Sequence, residues 1–142
     1  MKKKHILQAV ALAFLPLAQA ANAQVAVIVN PKSSLVSMNP EQVAAIFLGK
    51  TQALPSGRAA VPADMPEGAV ARDAFYSKAT GKSPSQVKAT WARLTFSGKA
   101  MPPKEVPTAV DVKKHVAGNI DAIGYIEKIA VDSTVKVVLT VE

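Results

Sequence analysis

The side chains able to do chemistry are few: two histidines, ten Asp and Glu, and no cysteine. Lack of cysteine removes disulfides, thiolate metal sites and a Cys nucleophile together. A Ser-His-Asp relay would have to use His115, because His5 falls in a segment read below as cleaved. His115 follows Lys113 and Lys114 at the end of a predicted helix, where a solvated imidazole simply complements the helix dipole. A metal site would have one histidine and acids without ligand spacing. Asp64 and Glu67 are the closest acidic pair for acid–base work, but their place at a predicted helix start makes them capping residues. No phosphate-cradling GxxxxGKS/T or GxGxxG motif occurs. These absences lead to the expectation of a non-enzymatic protein without a cofactor, and a hydrolase would need a nucleophile that the chain does not advertise.

Binding is what remains. Asn30-Pro31-Lys32-Ser33-Ser34 follows the first predicted strand and supplies amide, hydroxyl and ammonium donors. In an open α/β sheet, ligands gather at the carboxyl ends of strands, and an anion would suit that loop. An ordinary polar loop leading to a helix cap explains the same residues. The aromatics Phe47, Phe75, Tyr76, Trp91, Phe96 and Tyr125 are widely separated and mostly on apolar helix faces, so they read as core rather than as a stacking platform. Seventeen Lys and Arg against 10 Asp and Glu give +7, and loss of Lys2, Lys3 and Lys4 leaves +4. The cations are scattered, so the footprint of a nucleic-acid binder is missing.

The elements that would position these residues follow from pattern. Val25 to Asn30 is an apolar, mostly β-branched run stopped by Pro31, as in a strand covered on both faces. Asn39 caps a helix to Leu48, with Pro40 at its first position, Val43, Ile46 and Phe47 on one face, and Gly49 after its end. Lys50 to Gly57 is a loop, and Arg58 to Pro62 is a short strand candidate. Asp64, Pro66 and Glu67 announce a helix running to Gly81. Ser83 and Gln86 form a capping box for a helix to about Phe96. Met101-Pro102-Pro103 reads as an extended linker, and Thr108 to Asp111 repeats the capping-box pattern for a helix ending near Gly118. Ala122 to Ile126 and Val135 to Val141 complete the strands. Four strands and four helices, with apolar rather than alternating strand sequences, indicate an α/β class: one layered sheet of about four to five strands flanked by helices.

The first 23 residues read as a targeting segment. Lys2 to Lys4 form a positive region, Ile6 to Leu17 an apolar stretch of 12 residues, and Ala18-Gln19-Ala20 and Ala21-Asn22-Ala23 two small-residue cleavage motifs. A spanning helix needs about 20 apolar residues, so a secretory signal peptide is expected, cleaved after Ala23 or after Ala20. Three lysines in place of a twin arginine argue for export in the unfolded state, without a preloaded cofactor. The working part is then residues 24–142, periplasmic or secreted, with no membrane insertion after cleavage. Its size suits one domain burying about two-thirds of its unfolded surface.

VAVIVNPKSS, Ile46-Phe47-Leu48-Gly49-Lys50, Arg72-Asp73-Ala74-Phe75, Trp91 to Phe96 followed by Ser97-Gly98, Pro102-Pro103 and Ile123-Gly124-Tyr125 occur in an order that resembles phosphate-type periplasmic substrate-binding proteins. The resemblance covers nearly all of the chain after residue 23. It implies one lobe of a type 2 periplasmic-binding fold and a link to phosphate uptake by an ABC importer. Family members hold the anion between two lobes closing about a hinge, and this chain is long enough for about one. Where the family carries Ser-Gly-Thr before its Arg-x-x-Phe helix, Ala69-Val70-Ala71 precedes Arg72, so two hydroxyl donors are gone. The resemblance implies oxyanion contacts at Arg72 and, by position in the first-strand loop, at Lys32, Ser33 and Ser34. Arg72 is equally readable as a surface residue or a partner of Asp73 or Glu67. The expected function is weak, non-enzymatic binding of phosphate or a similar oxyanion; the alternative is a ligand-free envelope interaction or self-associating module.

Overall fold

In the computed structural model, which describes residues 24–142, Val25–Val29 form β1, and every one of these residues is buried. The leader expected over residues 1–23 and its cleavage sites lie outside the described residues. β1 lies between two antiparallel neighbours, β4 (Ala122–Glu127) and β5 (Lys136–Val141). Flanked on both edges and covered on both faces, it has no solvent side, and its sequence therefore does not alternate. Beyond β4 lie β2 (Val61–Asp64) and the two-residue β3 (Lys104–Glu105), giving the order β3-β2-β4-β1-β5. β2 runs parallel to both β4 and β3.

Helices start where their side chains satisfy free backbone donors. At α1 (Pro40–Phe47), Asn39 accepts from the Gln42 amide and Gln42 accepts from the Asn39 amide; Ser83 and Gln86 do the same at α3 (Pro84–Phe96). At α4 (Ala109–Ala117) only half of the expected box forms: Thr108 accepts from the Asp111 amide, and its hydroxyl turns to the Asp111 carboxylate at 2.7 Å. Two faces of the sheet are covered. Tyr125 of β4 meets Phe47 of α1 and Phe75 of α2 (Val70–Phe75) on one side. Gly124, its neighbour in the strand, faces Val112 and Val116 of α4 on the other.

Gly124 sets the spacing of that second layer. A Cβ placed there would stand 2.7 Å from Val112 Cγ1 and 3.5 Å from Val116 Cγ2. Valine is stiff at χ1 and cannot swing aside. Gly124→Ala is therefore expected to cost about 1–3 kcal/mol by overpacking, read from the midpoint of urea unfolding; an unchanged midpoint would show that α4 is free to shift.

The layered α/β class holds, but four expectations change. The second strand is Val61–Asp64, not Arg58 to Pro62, because the Val61 amide bonds to Asp121 and the segment aligns with β4. Asp64 therefore ends a strand instead of opening a helix. The helix expected from there begins only at Val70, after Gly68 at φ +84°, and passes into a π-helical turn, Tyr76–Thr80. A fifth strand, β3, appears just after Pro102-Pro103. Finally, Phe96 leaves the aromatic core and stands 96% exposed.

Candidate functional site

Asp64 is buried, which is tolerable for a carboxylate only if it is well supplied with donors. The fold supplies them from three directions. Continuation of the β2–β4 register brings Asp64 level with Tyr125, whose hydroxyl donates to Asp64 Oδ1. The π-helical turn carries Tyr76 inward, and its hydroxyl donates to Oδ2 at 2.5 Å. The Met65 amide donates to Oδ1 at 2.9 Å. Burial pushes the Asp64 carboxyl above the usual range; the two tyrosines and the Arg72 charge pull the other way. Both tyrosine hydroxyls are pushed up in turn, first by burial and then by the neighbouring carboxylate.

Arg72, in the first turn of α2, closes this group. Its Nη1 donates to the Met65 carbonyl at 2.8 Å and stands 3.5 Å from Asp64 Oδ2, and the guanidinium lies 5.4 Å from the centre of the Tyr76 ring. The side chain is only 12% exposed. Among the described residues no buried side-chain nitrogen or oxygen lacks a partner. The guanidinium nitrogens outside these bonds thus remain in reach of solvent.

That solvent is a cleft of about 480 Å³ at the carboxyl end of β2. Asp64, Pro66, Glu67, Arg72, Lys88, Trp91, Pro102, Pro103 and Glu105 line it. Its charge is mixed, with Arg72 and Lys88 against Asp64, Glu67 and Glu105. Lys88 and Glu67 approach to 3.9 Å with both side chains more than half exposed, a pair of little energetic weight. The chemistry available is therefore one anchored guanidinium and one exposed ammonium beside acids, suited to weak capture of a small oxyanion and not to tight enclosure.

The sheet separates the residues expected to share a site. Val29 pairs with Ile123 and Lys136, at the beginnings of β4 and β5, so the Lys32 to Ser34 loop leaves the end of the sheet away from Asp64 and Arg72. By register Asp64 is level with Tyr125 and so with Val27, two residues back from Val29, whereas the loop runs on in the opposite direction. The loop ties down its backbone and the Ser33 hydroxyl, while the Lys32 and Ser34 side chains stand exposed. The Lys32 amide bonds to Asn30 Oδ1, the Ser33 hydroxyl accepts from the Leu35 amide, and Lys136 donates to the Ser33 carbonyl. Arg72 alone of the four lies at the cleft. His115 is half-buried in α4, with Nε2 3.3 Å from the Val61 carbonyl, instead of standing in solvent. From sequence Tyr76 and Tyr125 read only as core; the signal for more is that a buried tyrosine needs a hydroxyl partner, which an acid directly after an apolar strand provides. Among the described residues, no group of three or more His, Cys, Asp and Glu is placed to hold a metal ion, and no helix is long and apolar enough to cross a membrane.

A five-stranded sheet covered by helices on both faces, with a cleft at the carboxyl end of an inner strand, is the architecture of one lobe of a type 2 periplasmic-binding fold. Solved structures share it. A Clostridium perfringens chain assigned as a phosphate ABC transporter substrate-binding protein, with bound phosphate, superposes with a TM-score of 0.65 at 22% identity, over 82% of this chain and 45% of that one. An ABC-type phosphate transport receptor from Vibrio cholerae gives 0.56 at 17%, over 82% and 46%. A Planctomyces limnophilus chain assigned as a phosphate-binding protein gives 0.60 at 15%, over 82% and 41%. This chain thus spans less than half the length of each. No family model and no curated protein matches the sequence.

Proposed function

We propose that the protein is a non-enzymatic, single-lobe binding protein that takes phosphate or a similar small oxyanion weakly at the Arg72 cleft, in association with an ABC importer. In this reading residues 1–23 are an export leader, residues 24–142 are the working lobe, and its place is the periplasm or the exterior. The observation that carries it is the anchoring of Arg72. A guanidinium held by Met65, Asp64 and Tyr76 is preorganised, so little side-chain entropy remains to be lost when an anion arrives. The likeness to phosphate-binding structures supports the choice of oxyanion. The acids in the same cleft, and solvent on its open side, keep the affinity low. Lys32, Ser33 and Ser34 take no part in this site.

Binding to the native state alone stabilises it, by about 1.4 kcal/mol when phosphate is ten times its Kd, a rise of several degrees in Tm for a chain of this size. The expected result is that rise in high-millimolar phosphate against chloride of equal ionic strength. Arg72→Gln, compared with its own phosphate-free baseline, should lose it, and Lys32→Ala should keep it. No phosphate-dependent rise in the unaltered protein would reject the proposal. A ligand-free interaction module is favoured by one feature: Met65, Val70, Pro107, Ala109 and Ala130 line a largely apolar groove of about 280 Å³, next in sequence to Ile129, which is 91% exposed. Light scattering on the same samples tests it by the oligomeric state.

A further inference from the structure

Trp91 is the wall between two clefts. The second, of about 410 Å³, is lined by Ile46, Ala60, Pro62 and Ala100 together with Gly49 and Gly98. Its lining contains no acid. Lys99 belongs to it, and Lys50 lies between two residues that do, Gly49 and Thr51. The turn that forms one side, Ser97 to Ala100, is bracketed by Phe96, 96% exposed, and Met101, 85% exposed. Neither side chain is needed for the core. An exposed methionine on the lining of a concave, acid-free surface, with an exposed aromatic residue at the end of the helix leading into it, is material of the kind that forms the buried centre of a protein interface.

We propose that this face docks a segment of a partner protein presenting one bulky apolar side chain flanked by carboxylates. The apolar side chain enters the cleft against Trp91, Phe96 and Met101 cover it, and Lys50 and Lys99 meet the flanking acids. Charge selects this occupant over a second copy, because the cleft offers cations without acids and residues 24–142 themselves carry a net +4. Of the residues lining the Arg72 cleft, this site shares Trp91 alone.

The chain has a single tryptophan, so indole emission reports on Trp91 alone. The full chain is titrated with a capped pentapeptide holding phenylalanine between two pairs of glutamates, followed by emission and by calorimetry. Saturable binding is expected, with roughly tenfold weaker binding for a peptide with lysines in place of the glutamates and for one with serine in place of the phenylalanine. The double variant Phe96→Ser, Met101→Ser should bind roughly tenfold more weakly at an unchanged Tm, since both side chains are exposed. Absence of binding, equal binding of the acidic and basic peptides, or full binding by the double variant overturns the proposal. So does self-association of the unaltered chain that the double variant abolishes, which would make the occupant a second copy.

Discussion

Asp64→Ala is expected to lower stability by about 3–5 kcal/mol. The substitution leaves the Tyr76 and Tyr125 hydroxyls without their acceptor and Arg72 without its neighbouring charge, all inside the aromatic core where Phe75 stacks on Tyr125. Tyr76→Phe removes one donor and should cost about 1 kcal/mol, the usual net value of a hydrogen bond. Asp64→Asn separates charge from shape. Because burial raises the Asp64 carboxyl in the folded state, the folded protein holds that proton more tightly than the unfolded chain. The resulting stabilisation is complete below the ordinary value of 3.8 and is lost as pH rises through the raised native value. Wild type minus Asp64→Asn, measured by urea unfolding across pH, should therefore be largest in acid and decline upward. A loss under about 1 kcal/mol in Asp64→Ala would mean that the tyrosines and Arg72 find other partners.

The same residue marks where sequence reasoning reaches its limit. β1, the capped starts of α1 and α3, and the glycine stops were legible because each rests on neighbours within one turn or one strand. Asp64 was not, since its partners lie 12 and 61 positions away, and it takes both the pairing of β2 with β4 and the inward turn of the π-helical segment to unite them. Read locally, Asp64, Pro66 and Glu67 look like a helix start; sheet pairing overrides that pattern. β3 escapes for a related reason, because two exposed residues, Lys104 and Glu105, carry no periodicity and become a strand only beside β2. Arg72 was named through a resemblance, and its anchoring depends on Met65, Asp64 and Tyr76. Lys32, Ser33 and Ser34 suggest themselves by their place after a strand, but β1 runs antiparallel to β4, so the carboxyl end of β1 faces away from the Arg72 cleft. Strand direction is a property of the pairing, and no composition records it.

Gly49→Ala should cost about 2–5 kcal/mol, and its two causes can be separated. Gly49 sits at φ +71°, where a side chain costs about 1–2 kcal/mol. A Cβ there would also stand 2.6 Å from Leu94 Cδ1 and 2.9 Å from Trp91 Cη2, and overpacking of that kind adds about 1–3 kcal/mol. Gly81 gives the control: it has φ +70° with nothing within 4 Å of the added carbon. Gly81→Ala therefore measures the backbone cost alone, and the excess of Gly49→Ala over it, from urea unfolding, measures the packing of α3 against the end of α1. That packing has a functional side. Trp91 donates its indole N–H to the Phe47 carbonyl, the last residue of α1, and so the turn at Gly49 fixes the wall shared by the two clefts. If Trp91 yields to the new methyl group, its emission should shift along with the loss of stability. Equal costs at the two glycines, with unchanged emission, would mean that α3 has room to move away from α1 and that the wall between the clefts is soft.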